Sequence, residues 1–414
     1  MGVVSREWEE VRLGDVIDFN PTETIKKGTI SKKIGMEMLN SFQRKIEGFE
    51  VTEYKSGTKF RNGDTLLARI TPCLENGKTA QVTILDGNEI GFGSTEFIVL
   101  RQKPKHTVND FIYYLAISPM IRETAIKSMT GTSGRQRAQK DVIENTLFKL
   151  PTLKEQKAIA HVLSTLDEKI EVNKQINKKL EEMAQTIFKH WFVDFEFPNE
   201  NGEPYKSSGG EMVESELGMI PKGWEVRELE DIAIITMGQS PKGSSYNEHG
   251  DGTVFYQGRT DFTNRFPVRR LYTTEPKRIA KTGDILMSVR APVGDINIAN
   301  EECCIGRGLC SFRSKNSMNS YLLYILLNLK EKFDVFNGEG TVFGSINQKD
   351  LKGIKIIMPN DSIVKYFNDI ATSLDKKYLY LEMESRKLTN LRDTLLPKLM
   401  SGELRVPLED DDIS

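Results

Sequence analysis

Cysteine and histidine are scarce in this chain, which limits the metal and nucleophilic chemistry that it could perform. The 414 residues include four cysteines and four histidines. No C-x-x-C pair occurs, and no histidine lies near a cysteine in the sequence. A disulfide framework or a zinc site is therefore not expected, and the cysteines are interpreted as reduced thiols of a cytoplasmic protein.

Long apolar runs are also missing. No stretch approaches the roughly 18 apolar residues that a membrane-spanning helix requires, and the N-terminal sequence lacks the apolar core of a secretion signal. No membrane partner is therefore expected. Hydrophobic residues make up 38% and charged residues 28%, as in ordinary globular proteins, and the length indicates two or more domains.

An excess of positive charge, which would indicate a nucleic-acid-binding protein, is absent because the formal net charge is −2. The charge is nevertheless uneven. Segments 122–140 and 254–290 are rich in Arg and Lys, whereas the C-terminal residues Glu409-Asp410-Asp411-Asp412 are acidic. Local fields of this kind attract a polyanion, although chance clustering on a solvated surface would give the same pattern.

The sequence contains an internal repeat. Motifs from the first half recur in the second half in the same order and at a nearly constant offset, which indicates a duplication. The matched motifs are Trp8 with Trp224, Gly63-Asp64 with Gly283-Asp284, Pro72 with Pro292, Gly131-Thr132 with Gly340-Thr341, and Gln139-Lys140-Asp141 with Gln348-Lys349-Asp350.

The first part of each half predicts a mixed α/β globular domain, because short apolar runs alternate with Gly, Pro, Asn and Asp. The predicted strands include Thr65–Ile70, Gln81–Leu85, Phe97–Leu100 and Asp284–Val289. The predicted helices include Asn109–Ile117 and Ser320–Leu329.

The second part of each half predicts one long helix with an apolar heptad seam. Thr152 and Glu155 have the spacing of a capping box at the start of the first helix. The seam positions include Leu166, Asn173, Asn177, Leu180, Leu374, Leu381 and Leu388. Two matched seams favour an antiparallel coiled coil, in which the asparagines would fix the register; separate packing of each helix on its own domain is the alternative.

The predicted architecture is therefore mixed α/β, with two pseudo-repeated globular domains separated by two long helices packed as an antiparallel coiled coil. The domains are assigned to residues 1–150 and 218–358, and the spacer helices to 151–195 and 359–402. A linker is predicted at 196–217, where Gly, Pro, Asn and Ser are frequent, and an acidic tail at 403–414.

Motifs that mimic catalytic sites are incomplete. The glycine pattern from Phe336 to Gly340 resembles a methyltransferase cofactor loop, but the nearest candidate for the accompanying motif, Asn20-Pro21-Thr22-Glu23, does not match it. The loop Gly238-Gln-Ser-Pro-Lys-Gly243 has phosphate-loop spacing but lacks the lysine before the Ser/Thr position. The chain is therefore not expected to be an enzyme.

Four segments together resemble the DNA-sequence specificity subunits of Type I restriction–modification enzymes. They are Pro151-x-x-x-Glu155-Gln156, Phe188-Lys-His-Trp-Phe-Val-Asp-Phe195, Ser215-Glu-Leu-Gly-Met-Ile-Pro-Lys-Gly-Trp224 and Leu395-Leu-Pro-Lys-Leu-Met-Ser-Gly402. The start of the second helix, Pro359-Asn-Asp-Ser-Ile-Val364, departs from the pattern because it lacks Glu-Gln.

The resemblance implies a non-catalytic subunit whose two recognition domains each read half of a bipartite double-stranded DNA target. The helices would set the gap between the halves and dock two modification (methyltransferase) subunits, which restriction subunits would join. S-adenosylmethionine, ATP and Mg would belong to those partners, so no cofactor is expected on this chain.

Residues that could contact DNA are polar or cationic side chains in loops and at strand ends. Lys and Arg neutralise phosphates, whereas Arg reads guanine and Gln or Asn reads adenine. The candidates are Arg69, Thr71, Thr132, Arg135, Gln136, Arg137, Gln257, Arg259, Arg290 and Arg307. For each arginine, the alternative is a surface residue in a structural ion pair.

Three other functions remain open at this stage. A coiled-coil scaffold would bind protein but not DNA, and a fused methyltransferase or nuclease would bind S-adenosylmethionine or cleave DNA by itself. A specificity subunit of a methylation-only system would have the same sequence features as one of a restriction system.

Overall fold

A computed structural model describes residues 7–338 and 344–408. The chain divides into two compact units, of which the first combines Met1–Lys174 with Glu382–Ser414 and the second is Gln175–Leu381. Each unit therefore contains one globular domain and part of both long helices. Three features of the sequence lie outside the described residues. They are the Gly340-Thr341 half of one repeat match, the end of the Phe336–Gly340 pattern and the acidic residues 409–412.

The first half of the chain forms ten strands and five helices within the described residues. They are β1 (Glu9–Arg12), α1 (Leu13–Val16), β2 (Ile17–Phe19), β3 (Ile30–Ile34), β4 (Glu50–Glu53), β5 (Thr58–Phe60), β6 (Thr65–Ala68), β7 (Thr79–Gln81), β8 (Gly91–Gly93), β9 (Phe97–Gln102), α2 (Asn109–Ile117), α3 (Pro119–Lys127), α4 (Lys140–Glu144), β10 (Leu147–Leu150) and α5 (Leu153–Phe192).

Two four-stranded sheets form the first domain. One has the antiparallel order β2-β9-β6-β7, and the other has the order β4-β3-β8-β5 with β3 and β8 parallel. Strand β6 is buried on both faces, because Leu66 enters one hydrophobic cluster and Leu67 the other. Helix α2 belongs to the same cluster as Leu67 and is buried from Phe111 to Ile117.

The second half repeats this order of elements and contains three additional strands. Its elements are β11 (Met212–Ser215), β12 (Gly218–Pro221), β13 (Glu225–Glu228), α6 (Leu229–Ile232), β14 (Ala233–Met237), β15 (Tyr246–Asn247), β16 (Thr253–Tyr256), β17 (Leu271–Thr273), β18 (Ile279–Ala280), β19 (Ile285–Ser288), β20 (Ile296–Ile298), β21 (Cys303–Ile305), β22 (Leu309–Ser314), α7 (Asn319–Asn328), α8 (Lys330–Asp334), α9 (Gln348–Lys352), β23 (Lys355–Met358) and α10 (Asp361–Ser401).

The second domain has the topology of the first, with β15 as an additional edge strand. Its sheets have the orders β14-β22-β19-β20 and β15-β17-β16-β21-β18, and β16 and β21 are again parallel. Leu286 and Met287 of strand β19 also enter two different clusters. Both domains contain a cis proline after the central strand, at Thr71-Pro72 and Ala291-Pro292. The prediction of two pseudo-repeated mixed α/β domains is confirmed.

The two long helices pack together within each unit. In the first unit, Arg392 donates to Asp167 at 2.7 Å and Asn173 donates to Glu384 at 2.7 Å. Higher numbers on α5 thus face lower numbers on α10, and the helices are antiparallel. In the second unit, the rings of Phe188 and Phe367 lie edge to face at 5.6 Å.

Asn173 lies at this helix–helix interface, because its side chain donates to Glu384 and Ser385. Asn173, Asn177 and Leu381 are buried, and the other four predicted seam leucines are half-buried. Thr152 and Glu155 form the predicted capping box: Thr152 N donates to Glu155 Oε2 at 3.0 Å, and Glu155 N donates to Thr152 Oγ1 at 3.3 Å. The long helices are therefore assembled as the heptad pattern predicted.

One local prediction was wrong. The predicted strand Gln81–Leu85 ends at Gln81, because Leu85 N instead donates to the Asn62 side chain at 3.0 Å. The predicted linker is part of the second unit and is mostly irregular, but it is well packed: Phe197 is 6% exposed and stacks on Trp224 at 4.8 Å.

Candidate nucleic-acid interface

Glycines allow three backbone segments to meet at one end of the second domain. A Cβ atom on Gly238 would lie 2.2 Å from the Gly306 carbonyl oxygen, and one on Gly308 would lie 2.8 Å from the Gln257 carbonyl oxygen. Only glycine permits such approaches. The segment after β14, the segment after β16 and the β21–β22 turn are therefore held together.

These segments enclose an open cleft of about 630 Å³, here called the glycine cleft. It is defined by residues 238–241, Gly243, Tyr246, Gln257, Arg290, Arg307 and Gly308. The side chains of Gln257, Arg290 and Arg307 are exposed, and none of the described residues that line the cleft carries a carboxylate. The structure therefore brings together three of the four residues predicted to contact DNA in this domain.

Backbone hydrogen bonds position the polar side chains of the cleft. Arg290 follows β19 and pairs with Ser345 in an antiparallel bridge. Arg307 N donates to Ser240 Oγ at 3.2 Å, and Gln257 N donates to Asp261 Oδ2 at 2.7 Å. Among the described residues, no ion pair involves Arg290 or Arg307. Within residues 7–338 and 344–408, both guanidinium groups are therefore exposed without a carboxylate partner.

Most other cations of segment 254–290 that were predicted to attract DNA have carboxylate partners. The predicted contact Arg259 lies outside the cleft lining and pairs with Asp295 at 2.7 Å. Arg269 pairs with Glu301 at 2.6 Å and Arg270 with Asp261 at 3.0 Å. Arg265 is 5% exposed and pairs with Asp375. The positive electrostatic field around segment 254–290 is therefore weaker than its number of Arg and Lys residues predicted.

The six predicted contacts of the first domain lie close together. Thr132, Arg135, Gln136 and Arg137 belong to a turn that returns to Thr130, and the Ile70–Arg137 bridge places this turn beside Arg69 and Thr71. Arg69 and Thr71 are half-buried, and within the described part of the chain Arg69 Nε and Thr71 Oγ1 have no hydrogen-bond partner.

One of these arginines is held by a carboxylate. Arg137 Nη2 lies 2.6 Å from Glu96 Oε1, and Arg137 Nε also donates to the carboxylate at 3.0 Å. These hydrogen bonds raise the pKa of Arg137. Both arginines are exposed, but only Arg137 has an ion pair among the described residues, so Arg137 fits the alternative interpretation of a surface arginine in a structural ion pair, unlike Arg135.

Hydrogen bonds fix the equivalence between the two domain ends. Arg69 N donates to Glu96 O at 2.9 Å, and Val289 N donates to Gly308 O at the same distance. The Ile70–Arg137 bridge likewise corresponds to the Arg290–Ser345 bridge. Arg290 is therefore equivalent to Ile70 rather than to Arg69, although the sequence motifs had placed both arginines at corresponding strand ends.

The same register gives the counterparts of the other cleft residues. Strand β16 pairs Tyr256 with Ile305, as β3 pairs Ile34 with Gly93. Gln257 then corresponds to Gly35, and Arg307 corresponds to Thr95. The cleft cations of the second domain thus have uncharged counterparts in the first domain.

A tyrosine–aspartate contact joins each domain to the helix pair. Tyr114 Oη donates to Asp167 at 2.7 Å, and Tyr324 Oη donates to Asp375 at 3.0 Å. Burial raises the pKa of both tyrosines, so that their hydroxyls remain donors at neutral pH. Sequence reasoning missed these contacts, although Asp167 and Asp375 occupy equivalent positions of the two helices.

Metal and thiol sites are not evident in the described part of the chain. No group of three or more His, Cys, Asp or Glu residues there could hold a metal ion. The four cysteines are free, and three of them are buried. No described helix is both long and apolar enough to cross a membrane.

Comparison with known proteins assigns this arrangement to a family. The family model for the Type I restriction modification DNA specificity domain matches residues 5–182 and 221–390. A putative type I restriction enzyme MjaX specificity subunit from Methanocaldococcus jannaschii is 31% identical over 98% of this chain and 96% of its own length.

Two further proteins are similar over almost the whole chain. The type I restriction enzyme HindI specificity subunit from Haemophilus influenzae is 25% identical over 96% of this chain and 100% of its own length. The crystal structure of a Type-I restriction-modification system S subunit from M. genitalium covers 97% of this chain and 98% of its own, at 17% identity and a TM-score of 0.57. The last similarity supports the fold, and the family model matches well over half of the residues. The chain therefore belongs to the family of Type I restriction–modification DNA specificity subunits.

Proposed function

We propose that this chain gives a Type I restriction–modification enzyme its DNA sequence specificity, with each globular domain reading one half of a bipartite target. One observation carries the proposal. The two domains share their topology and backbone hydrogen bonds, but they carry different side chains at equivalent positions of one end. Two domains with the same fold but different polar side chains at one end are suited to recognise different base sequences.

We infer that the chemistry belongs to partner subunits. Two modification (methyltransferase) subunits would dock on the long helices, and restriction subunits would complete the nuclease. Apolar side chains outside the seam support docking, because Val172, Met183, Tyr380 and Leu391 are 48%, 52%, 61% and 47% exposed. S-adenosylmethionine, ATP and Mg would be bound by those partners.

The helices would also set the gap between the half-sites. Helix α5 has 40 residues and α10 has 41, so each is about 60 Å long. A helix pair of this kind is stiff, and its length is fixed by the number of residues. A deletion of one heptad from each helix is expected to shorten the gap and leave the half-sites unchanged.

Adenine-methylation mapping tests the function directly. Genomic DNA is compared from cells that express the neighbouring methyltransferase subunit with and without this chain. A new split motif, consisting of two short defined halves around a fixed gap, supports the proposal. An unchanged pattern, with a methyltransferase shown to be active, would favour a coiled-coil scaffold without DNA readout.

Two simple assays address the other functions. Binding of S-adenosylmethionine or cleavage of DNA by the isolated chain would indicate an enzyme. Addition of the restriction subunit with ATP and Mg separates a restriction system from a methylation-only system, because only the former would cut the unmodified target.

A further inference from the structure

We propose that the glycine cleft of the second domain reads guanine in its half of the target, through the guanidinium groups of Arg290 and Arg307. This inference rests on the proposed function and deepens it. It also predicts that the equivalent end of the first domain does not read guanine in this way, so that the two half-sites differ in base composition at the corresponding position.

The charges around the cleft favour a ligand with paired acceptor atoms. Arg290 and Arg307 are exposed and lack a carboxylate partner among the described residues, whereas Arg259 and Arg269 of the same domain are neutralised by Asp295 and Glu301. The guanidinium group presents donors in a planar fork. The O6 and N7 atoms of guanine match that fork in the major groove, and a phosphate would also match it.

The repeat separates these two ligands. A phosphate contact carries no sequence information, so two domains built on one scaffold would be expected to keep it at equivalent positions. Arg290 is instead equivalent to Ile70, and Arg307 to Thr95. The surrounding framework is kept, because the Val289 N–Gly308 O and Arg69 N–Glu96 O hydrogen bonds have equal lengths. Arg290 and Arg307 therefore differ from their counterparts in the first domain, as is expected of residues that contact bases.

The first domain has a different electrostatic character at this end. Glu96 corresponds to Gly308 and directs its carboxylate to Arg137. The Arg137 guanidinium, which lies in the turn bridged to Ile70, is thus neutralised by an acid whose counterpart in the second domain is Gly308. A bidentate contact of Arg137 with guanine would require that ion pair to open.

The experiment uses the complex of this chain with its methyltransferase subunits. Methylation motifs are mapped for the unmodified complex and for Arg290→Ala, Arg307→Ala and the control Arg269→Ala, whose guanidinium is held by Glu301. We expect either or both cleft variants to lose about 5- to 150-fold in discrimination for a guanine–cytosine pair. The other half-site and the control should be unchanged. Loss of discrimination in only one cleft variant still supports the proposal and assigns the guanine to that arginine.

A chemical probe identifies the atom that is read. A set of duplexes is prepared in which 7-deazaguanine, which lacks the N7 acceptor, replaces one guanine of the mapped half-site at a time. Unmodified protein should bind one such duplex more weakly, whereas the variant responsible should not distinguish it from the normal duplex. Because the unmodified protein is tested as well, the proposal does not depend on the folding of any variant.

Three results would overturn the proposal. They are a half-site without a guanine–cytosine pair, unchanged discrimination in both cleft variants, and an equal loss of affinity for all DNA with a salt dependence reduced by about one phosphate contact. The last result would assign the cleft to the DNA backbone. Failure of the proposed function is distinguishable, because no bipartite motif would then depend on the unmodified chain.

Discussion

A buried aspartate organises the turn before the central strand of each domain. Asp64 accepts two hydrogen bonds of 2.7 Å from Arg101, and Asp284 accepts bonds of 2.6 and 2.7 Å from Arg313. Each aspartate also accepts a backbone N–H from the same turn. The repeated Gly-Asp motif therefore joins the turn to the neighbouring strand of the sheet.

Loss of this carboxylate should be costly. Asp64 is 1% exposed, so Asp64→Ala would leave Arg101 partly buried with fewer partners and the turn N–H unsatisfied. We expect the free energy of unfolding of the first unit to fall by about 3 kcal/mol in urea denaturation. Asp86→Ala is the matched control, because the Asp86 side chain is 89% exposed. Equal effects of the two substitutions would contradict this role.

Glu23 provides a pH-dependent contribution to stability. Its side chain is 8% exposed, and hydrogen bonds from Arg61 at 2.5 Å and Arg101 at 2.7 Å outweigh burial and lower its pKa below the ordinary value of 4.5. A carboxyl with a lowered pKa stabilises the fold above its unfolded pKa. That contribution is lost as the pH falls through the lower folded pKa.

Comparison of Glu23→Gln with the unmodified chain should reveal this dependence. At pH 7 the variant is expected to be less stable in urea denaturation, because the arginines lose a charged acceptor. Below pH 4.5 the difference should decrease as the carboxylate of the unmodified chain becomes protonated. A difference in stability that is constant from pH 7 to pH 3 would contradict the assignment.

At the scale of elements, the tyrosine–aspartate contacts connect each domain to the helix pair. Tyr114 lies on α2, Asp167 on α5 and Arg392 on α10, so one carboxylate joins three helices of the first unit. In the second unit, Asp375 accepts hydrogen bonds from Tyr324 and Ser320 and pairs with Arg265. Both units thus contain a tyrosine–aspartate hydrogen bond, and the aspartate pairs with Arg392 in the first unit and with Arg265 in the second.

Removal of one hydroxyl tests the first of these contacts. Tyr114→Phe removes a hydrogen bond to a charged group, and we expect a loss of about 1.5–3 kcal/mol in the unfolding free energy of the first unit. Tyr113→Phe is an internal control, because its buried hydroxyl has no hydrogen-bond partner among the described residues. That substitution should be neutral or stabilising, and a larger loss than for Tyr114→Phe would disprove the role.

Elements defined by local spacing could be predicted from the sequence, whereas contacts between distant residues could not. The heptad positions and the Thr152–Glu155 box predicted the first long helix, because both patterns act within a few residues. The bond between Tyr114 and Asp167 spans 53 residues, and no local pattern connects them. The strand predicted beyond Gln81 failed for a related reason, since Leu85 N donates to the distant side chain of Asn62 and not to a neighbouring strand.

The candidate interface was predictable only in part. Arg and Gln in glycine-rich loops indicated the cleft, and three of the chosen residues converge there. The sequence could not show which arginines are neutralised, because Asp295 is 36 residues from Arg259 and Glu96 is 41 residues from Arg137.

At the scale of the whole molecule, two domains with different polar ends should act independently on the two half-sites. We expect Arg69→Ala to relax one half of the methylated motif and Arg290→Ala to relax the other half. The double variant should show the sum of the two effects within about 0.5 kcal/mol, because the two sites share no residue. Methylation mapping of the three variants would contradict this if both single substitutions altered the same half.

The bonds that hold the domain ends together have an evolutionary consequence. Main-chain atoms alone form the Val289–Gly308 and Arg69–Glu96 hydrogen bonds, so the neighbouring exposed side chains of Arg290 and Arg307 can be exchanged without loss of the pairing. Mutations there carry little folding penalty, and selection can act on them almost entirely through the DNA that is recognised. A duplicated gene with such ends can acquire a new target by a few point mutations, which suits a defence that must keep changing what it recognises.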